Sequence, residues 1–445
     1  MRTALVWLFV IAATGSVYAQ DTKEKLDAYC RSAEAAGNFN GTVLIRQKGQ
    51  TIVSRGYGYA NNEEMIAGNE NTRYQVGSVT KQFTATVILK LAEARKISLQ
   101  DKLSKWYPKF PNADKVTIEQ LLSHTSGIHS YTSDQKVFDS VRTLPVSEEY
   151  MIKLFASYPY DFEPGTKWSY SNSGYSLLGY IIQKVTGKTY EQNVREIIFQ
   201  PLGMKSSGFD FKSAKGEKAI GYYKITTSGS EKAKQVDSSV SFSAGALYST
   251  TSDLSLWDAS LYSGKIISVA SMKNAHTPRM NHYGLGWAVD TIFSKRVIEH
   301  GGGIDGFLCQ NYVVPDEGIE LIVLMNTGMT DPGKISKDLL AIMLGQEVAA
   351  PEKPKPIELS SEKLEEFTGE YEVAPGMVAS FMVKDGKLQV DTHHDPIEAL
   401  TPISENIFSF SSMDATLEFI RGNTGKVEKF IFRQGNSSRE AKKIK

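Results

Sequence analysis

Ser78-Val79-Thr80-Lys81 sets a hydroxyl and an amine three positions apart, roughly one helical turn. Behind it, Phe83, Val87, Ile88, Leu91 and Ala92 recur at helical spacing. Ahead of it, Tyr74-Gln75-Val76-Gly77 reads as extended chain ending in a glycine turn. Ser78 is therefore expected to open a buried helix, with Lys81 on the same face. A helix N-terminus disfavours an ammonium and favours developing negative charge. An amine there can lose its proton near neutral pH and serve as base to the hydroxyl, which is the chemistry of covalent acyl transfer.

The Ser-x-x-Lys spacing carries little by itself. It recurs at Ser133/Lys136 in a polar loop and at Ser360/Lys363 after a proline-rich stretch. Ser78 stands out because Tyr170-Ser171-Asn172 and then His300-Gly301-Gly302 follow it in order. Serine β-lactamases and penicillin-binding proteins carry three ordered motifs of this kind. Each later motif has a plain structural alternative. A Tyr-x-Asn is usually a turn, as expected at Tyr59-Ala60-Asn61, and a His ahead of three glycines can simply end a strand. His124 reads as a residue bracing a loop, and His393-His394-Asp395 as an exposed turn rather than a metal site. Only the combination of Ser78, Lys81, Tyr170 and His300 outweighs these alternatives.

The chain resembles the serine β-lactamase-related family, which includes class C β-lactamases, D-alanyl-D-alanine carboxypeptidases, D-aminopeptidases and esterases. The resemblance covers roughly residues 39–345. It is carried by Phe39-Asn40-Gly41-Thr42-Val43-Leu44-Ile45, the Ser78 motif, Leu121-Leu122-Ser123-His124-Thr125-Ser126-Gly127, Glu163-Pro164-Gly165, the Tyr170 motif, Pro201-Leu202-Gly203-Met204, Tyr283-Gly284-Leu285-Gly286-Trp287 and the His300 stretch. It implies that Tyr170 shuttles a proton to the leaving group. A phenol with an ordinary pKa near 10 would need help, and Lys81 and His300 as cationic neighbours are expected to lower it. Asn172 is expected to serve the substrate or Lys81. The backbone N–H groups of Ser78 and Gly303, beside Gly302, are expected to form the oxyanion hole.

One departure bears on substrate. The family's third motif often has Lys then Thr where this chain has His300 then Gly301. Lys-Thr commonly helps grip the carboxylate of lactams and D-Ala-D-Ala peptides. A His is only partly charged near neutral pH, and Gly301 lacks a hydroxyl. The departure argues against an efficient β-lactamase and toward hydrolysis of small D-amino acid-containing amides or of esters. Two alternatives stay open: a weak β-lactamase or penicillin-recognising protein with slow turnover, and a non-catalytic binding protein.

The elements that must hold these residues divide the chain. Residues 1–19 read as a cleavable signal peptide: Arg2, an apolar run over Ala4 to Ala13, then Val17-Tyr18-Ala19. That run is too short to span a bilayer, so a secreted or periplasmic protein without a stable membrane span is expected. Residues 20–345 read as one β-lactamase-related serine hydrolase domain of the α/β class with a β-lactamase/transpeptidase-like fold. A helix over 24–36, a hairpin of Thr42–Arg46 and Thr51–Tyr57, strands near 286–325 and a helix over 334–344 should build one antiparallel sheet flanked by helices. A helical subdomain from about 72 to 205 is inserted into it, and the resemblance implies the same plan. Residues 346–358, with Pro351, Pro354 and Pro356, read as a stiff linker. Residues 359–445 read as a small all-β barrel or sandwich, similar in layout to the lipocalin-like modules of some relatives.

Composition agrees. Hydrophobic residues at 41% and charged residues at 22% are globular values. Fifty basic and fifty acidic side chains cancel, which removes the electrostatic case for nucleic acid or an anionic membrane. Cys30 and Cys309 are too few for a disulfide framework, and no metal or cofactor motif is present. A small molecule or short peptide is the expected partner. The sequence does not define the oligomeric state.

Overall fold

The computed structural model describes residues 20–445 apart from 227–228, 329, 353–354, 375, 394–395, 411–412, 414, 423 and 435–436. The expected signal peptide and the pair His394-Asp395 lie outside the described residues. The chain forms two compact units, one built mainly on Asn40–Gly328 and one mainly on Ala349–Lys445.

The first unit contains a six-stranded sheet. In spatial order its strands are Gln50–Tyr57, Gly41–Gln47, Ile319–Met325, Phe307–Val314, Lys295–Ile304 and Ala288–Ile292, each antiparallel to its neighbour. Ile319–Met325 and Phe307–Val314 are buried along nearly their whole length. That is why they read as continuous apolar runs rather than as an alternating pattern. The expected terminal helices are present over residues 20–35 and Pro332–Met343. They are joined where the Tyr29 hydroxyl donates to Asp338 Oδ2 at 2.6 Å.

The helix Thr80–Glu93 runs through the core, with Thr80 to Leu89 and Leu91 buried. Its polar residues are satisfied inside. Thr84 Oγ1 donates to the Ser243 carbonyl at 2.7 Å, and Gln82 Oε1 accepts from the Trp257 indole at 3.0 Å. Phe83 stacks on Trp257 with ring centroids 4.4 Å apart. Ser78 itself lies just ahead of this helix, in the single 3-10 turn Gly77–Val79.

The second unit is a nine-stranded antiparallel sheet among the described residues, nearly closed into a barrel. Its order starts at Glu398–Ala399, and its far edge is Thr401–Pro402, close in sequence to the first. Alternate residues of the strands point inward, as in Ala415–Arg421. The interior is filled by aromatic rings. Phe419 alone lies 4.8–5.8 Å, centroid to centroid, from Phe367, Tyr371, Phe381, Phe408 and Phe430. The unit is the small all-β barrel-like module expected, with a packed centre.

Phe419→Ala should therefore lower the stability of this unit by roughly 3–5 kcal/mol, the usual cost of truncating a buried Phe. Denaturant unfolding followed by circular dichroism measures it. An unchanged midpoint would show that the ring cluster is not the core of the module.

Candidate active site

The strand Lys295–Ile304 outruns its neighbour Ala288–Ile292, which pairs with it only up to Glu299. The edge from His300 onward is left free and faces the turn that carries Ser78. Glycine makes this approach feasible. Gly77 has φ +47°, and a Cβ there would lie 2.8 Å from the Gly303 nitrogen. A Cβ on Gly302 would lie 2.1 Å from the Val76 carbonyl oxygen and 3.1 Å from the Ser78 nitrogen. The backbone of Gly302-Gly303 and the Ser78 N–H thus share one small space, as an oxyanion site requires.

Lys81 is 0% exposed. Its Nζ lies 2.8 Å from Asn172 Oδ1, 2.8 Å from the Ala244 carbonyl oxygen and 3.0 Å from Ser78 Oγ. Asn172 Nδ2 donates to Thr132 Oγ1 at 2.8 Å, with Oδ1 turned toward the amine. Asn172 Oδ1 and Ala244 O can only accept. They take two amine hydrogens, so an uncharged amine presents its lone pair to Ser78 Oγ. Burial supplies the charge state: desolvation drives the Lys81 pKa well below the ordinary lysine value of 10.5. The rings of Tyr170 and Tyr175 lie 4.7 and 5.4 Å from Nζ and can steady the ammonium formed when it takes a proton.

Each partner is positioned by its own element. Asn172 is the first residue of the helix Asn172–Thr186, which Ser171 caps by accepting from the Gly174 N–H at 3.1 Å. Ala244 lies on the segment Ser238–Gly245, which is broken at Phe242 with φ 35°, ψ −132°. A phenylalanine in that region is strained. Its ring is stacked on Tyr180 at 4.7 Å, and Ser243 Oγ donates to the Tyr175 carbonyl at 2.9 Å. The break thus lies two residues ahead of the Ala244 carbonyl that meets the amine. The sequence holds no signal for a backbone carbonyl in this role.

Tyr170 and His300 correct the expected electrostatics. The Tyr170 hydroxyl is buried and makes no hydrogen bond of normal geometry within the described residues. Burial pushes its pKa above 10, and the neighbouring Ser78 hydroxyl offsets this only in part. It is a neutral phenol, not one acidified by cations. His300 is no cation either: burial, then the nearby Lys81, push its pKa down to about 3. Its Nδ1 lies 2.6 Å from the Gly301 carbonyl, which can only accept, so Nδ1 carries the hydrogen. Nε2 then accepts from the Tyr283 hydroxyl at 2.8 Å. Both nitrogens are engaged, and Tyr283 joins the site although the sequence singled it out only within a family motif.

His124 braces a loop, as expected. Its Nδ1 accepts from the Ser171 N–H at 3.0 Å, and its ring lies 4.2 Å from that of Tyr170. Ser360 is a helix cap whose Oγ accepts from the Lys363 N–H, and Ser133 lies in a 3-10 turn. Cys30 and Cys309 are free buried thiols. Among the described residues no cluster of His, Cys, Asp and Glu could hold a metal. No described helix is long and apolar enough to cross a membrane.

Two clefts meet at Ser78. One, of about 410 Å³, is lined by Asn172, Thr132, Phe138, Asp305 and Leu308 among others. The other, of about 380 Å³, is lined by Tyr170, Tyr283, Glu299, His300 and Gln310. Asp305 is held by Arg142 at 2.8 Å and by the Tyr223 hydroxyl at 3.0 Å. Among the described residues neither cleft is lined by a lysine or arginine.

Because burial depresses the Lys81 pKa, its base form should be present at lower pH than in an ordinary lysine. Acylation of Ser78 by a small ester should rise with pH and level off well before pH 10.5. Lys81→Met should slow acylation at least about 100-fold and remove this rise. A stopped-flow pH profile unchanged by the substitution would show that the base lies elsewhere.

The beta-lactamase family profile matches residues 26–342, and a domain of unknown function (DUF3471) matches residues 353–444. The chain is 28% identical to penicillin-binding protein 4* of Bacillus subtilis (strain 168), over 96% of this chain and all of that one. A D-stereospecific amidohydrolase from Streptomyces sp. is 27% identical with a TM-score of 0.63, covering 73% of this chain and 98% of its own. An octameric penicillin-binding protein homologue from Pyrococcus abyssi shares the fold, with a TM-score of 0.66 at 24% identity over 94% of this chain and 99% of its own. The chain belongs to the beta-lactamase family and is a serine hydrolase.

Proposed function

We propose that this member of the beta-lactamase family hydrolyses small D-amino acid-containing amides and esters that need no carboxylate anchor, through an acyl-enzyme on Ser78. The observation that carries this reading is the Lys81 amine, uncharged and held against Ser78 Oγ at 3.0 Å. In the proposed reaction Lys81 takes the Ser78 proton as Oγ attacks the carbonyl carbon. The oxyanion faces the N–H groups of Ser78 and Gly303. The proton then passes from Lys81 to the Tyr170 oxygen while the Tyr170 hydrogen goes to the leaving atom. Tyr170 stays a neutral phenol throughout, consistent with its raised pKa. Water enters on the same path to release the acyl group.

The substrate class rests on charge. With His300 neutral and, among the described residues, no lysine or arginine lining either cleft, a free carboxylate gains no ion pair there. Similarity to a D-stereospecific amidohydrolase supports amides of D-amino acids as first candidates. Similarity to penicillin-binding protein 4* along the whole chain favours a second reading, in which a penicillin acylates Ser78 and is released slowly. We further propose that residues 1–19 direct export, and that the module over 359–445, beyond the linker 346–358, governs access or assembly rather than chemistry.

A panel of p-nitrophenyl acetate, D-amino acid anilides, D-Ala-D-Ala peptides and nitrocefin tests both readings. Turnover of esters and D-anilides is expected to exceed that of the carboxylate-bearing substrates, and Ser78→Ala should reduce it to background. A penicillin adduct on Ser78 lasting hours would favour the second reading. Wild-type turnover by Ser78→Ala would refute both.

A further inference from the structure

Tyr170 lines the cleft that holds Glu299 and does not line the cleft of Asn172 and Asp305. A phenol that protonates the departing atom must face it, so the Glu299 cleft takes the leaving portion of the substrate. Glu299 immediately precedes His300 on the free-edged strand. Gln310 Nε2 donates to its Oε2 at 2.5 Å, and its Oε1 accepts no hydrogen bond from the described residues. Its charged neighbours are Asp290 on the adjacent strand, which repels it, and Lys337 on the helix Pro332–Met343, which acts at a distance and closes no ion pair with it. Gly301 leaves room for the pairing of Gln310 with Glu299: a Cβ there would lie 2.8 Å from Gln310 Oε1, so the amide would have to shift. The His300-Gly301 pair thus does two things at once. It withholds a cation, and it makes room for a positioned carboxylate.

We propose that the Glu299 cleft is a subsite for a positively charged group carried on the leaving portion of the substrate. The proposal rests on the acyl-enzyme reading above and names the leaving groups that site prefers. Partial burial holds the Glu299 pKa up at about 7, so a bound cation would restore an interaction that the fold leaves unmade.

Three acetyl thioesters test it at pH 8: acetylthiocholine, its uncharged carbon isostere 3,3-dimethylbutyl thioacetate, and 3-(acetylthio)propionate. Thiol release gives kcat/KM for each. The cation should exceed its isostere by about tenfold, the scale of one screened charge pair, and the anion should fall below it. Glu299→Gln should bring the cation-to-isostere ratio close to one. Gly301→Thr, which displaces Gln310 instead, should lower the same ratio. A wild-type ratio near one, or a ratio unchanged by both substitutions, overturns the subsite and leaves the acyl-enzyme reading standing. If none of the thioesters is hydrolysed in a Ser78-dependent way, the acyl-enzyme reading fails and the subsite with it.

Discussion

A lysine amine sealed from water is the constraint on which the rest of this site depends. Lys81 sits inside a helix buried on almost every face, and an ammonium there would lose its hydration with no carboxylate to replace it. The neutral amine is the form the interior tolerates. It still has two hydrogens to place, and each buried polar group left unpaired costs about 1–3 kcal/mol. Asn172 Oδ1 and the Ala244 carbonyl accept them, and the third direction is left to Ser78. The strained Phe242, the Ser171 cap and the Thr132 contact all bear on where those two acceptors sit. Catalytic geometry and core packing are here the same set of contacts.

The surroundings are built to keep charge out until the reaction makes it. Tyr170 and Tyr175 face the amine with neutral rings, His124 packs against both and against Tyr283, and His300 is fixed as a neutral tautomer between Tyr283 and Gly301. The opposite wall is bare backbone. Gly77 and Gly302 let the turn and strand bring the backbone of Gly303 and that of Ser78 close together. In the proposed reaction a transient ammonium would meet dipoles and ring faces, and a developing oxyanion would meet N–H groups. The negative side chains of the clefts stand farther out, one paired with Arg142 and the other, Glu299, hydrogen-bonded among the described residues by Gln310.

What the sequence displays follows from the range over which each feature is determined. Ser78 and Lys81 were legible because a three-residue offset on a helix is local geometry. The strands Phe307–Val314 and Ile319–Met325 were legible because burial on both faces leaves an unbroken apolar run. The ordered motifs at Tyr170 and His300 identified the partners but not their charge, since burial is a tertiary property that no spacing records. The expectation of an acidified Tyr170 and a cationic His300 failed for that reason. The Ala244 carbonyl was invisible because any residue can supply it, and Tyr283 because its contact with His300 is made by tertiary packing that no local spacing records.

The charge of Lys81 can be observed without turnover. Selective isotopic labelling of lysine, with the Lys81 resonance assigned by its loss in Lys81→Met, lets its side-chain nitrogen be followed by NMR from pH 5 to 11. The account requires the ammonium signal to give way to that of a free amine well below pH 10.5, at a nitrogen hydrogen-bonded and protected from water. A Lys81 resonance that stays ammonium-like up to pH 10, as an ordinary lysine does, would contradict it.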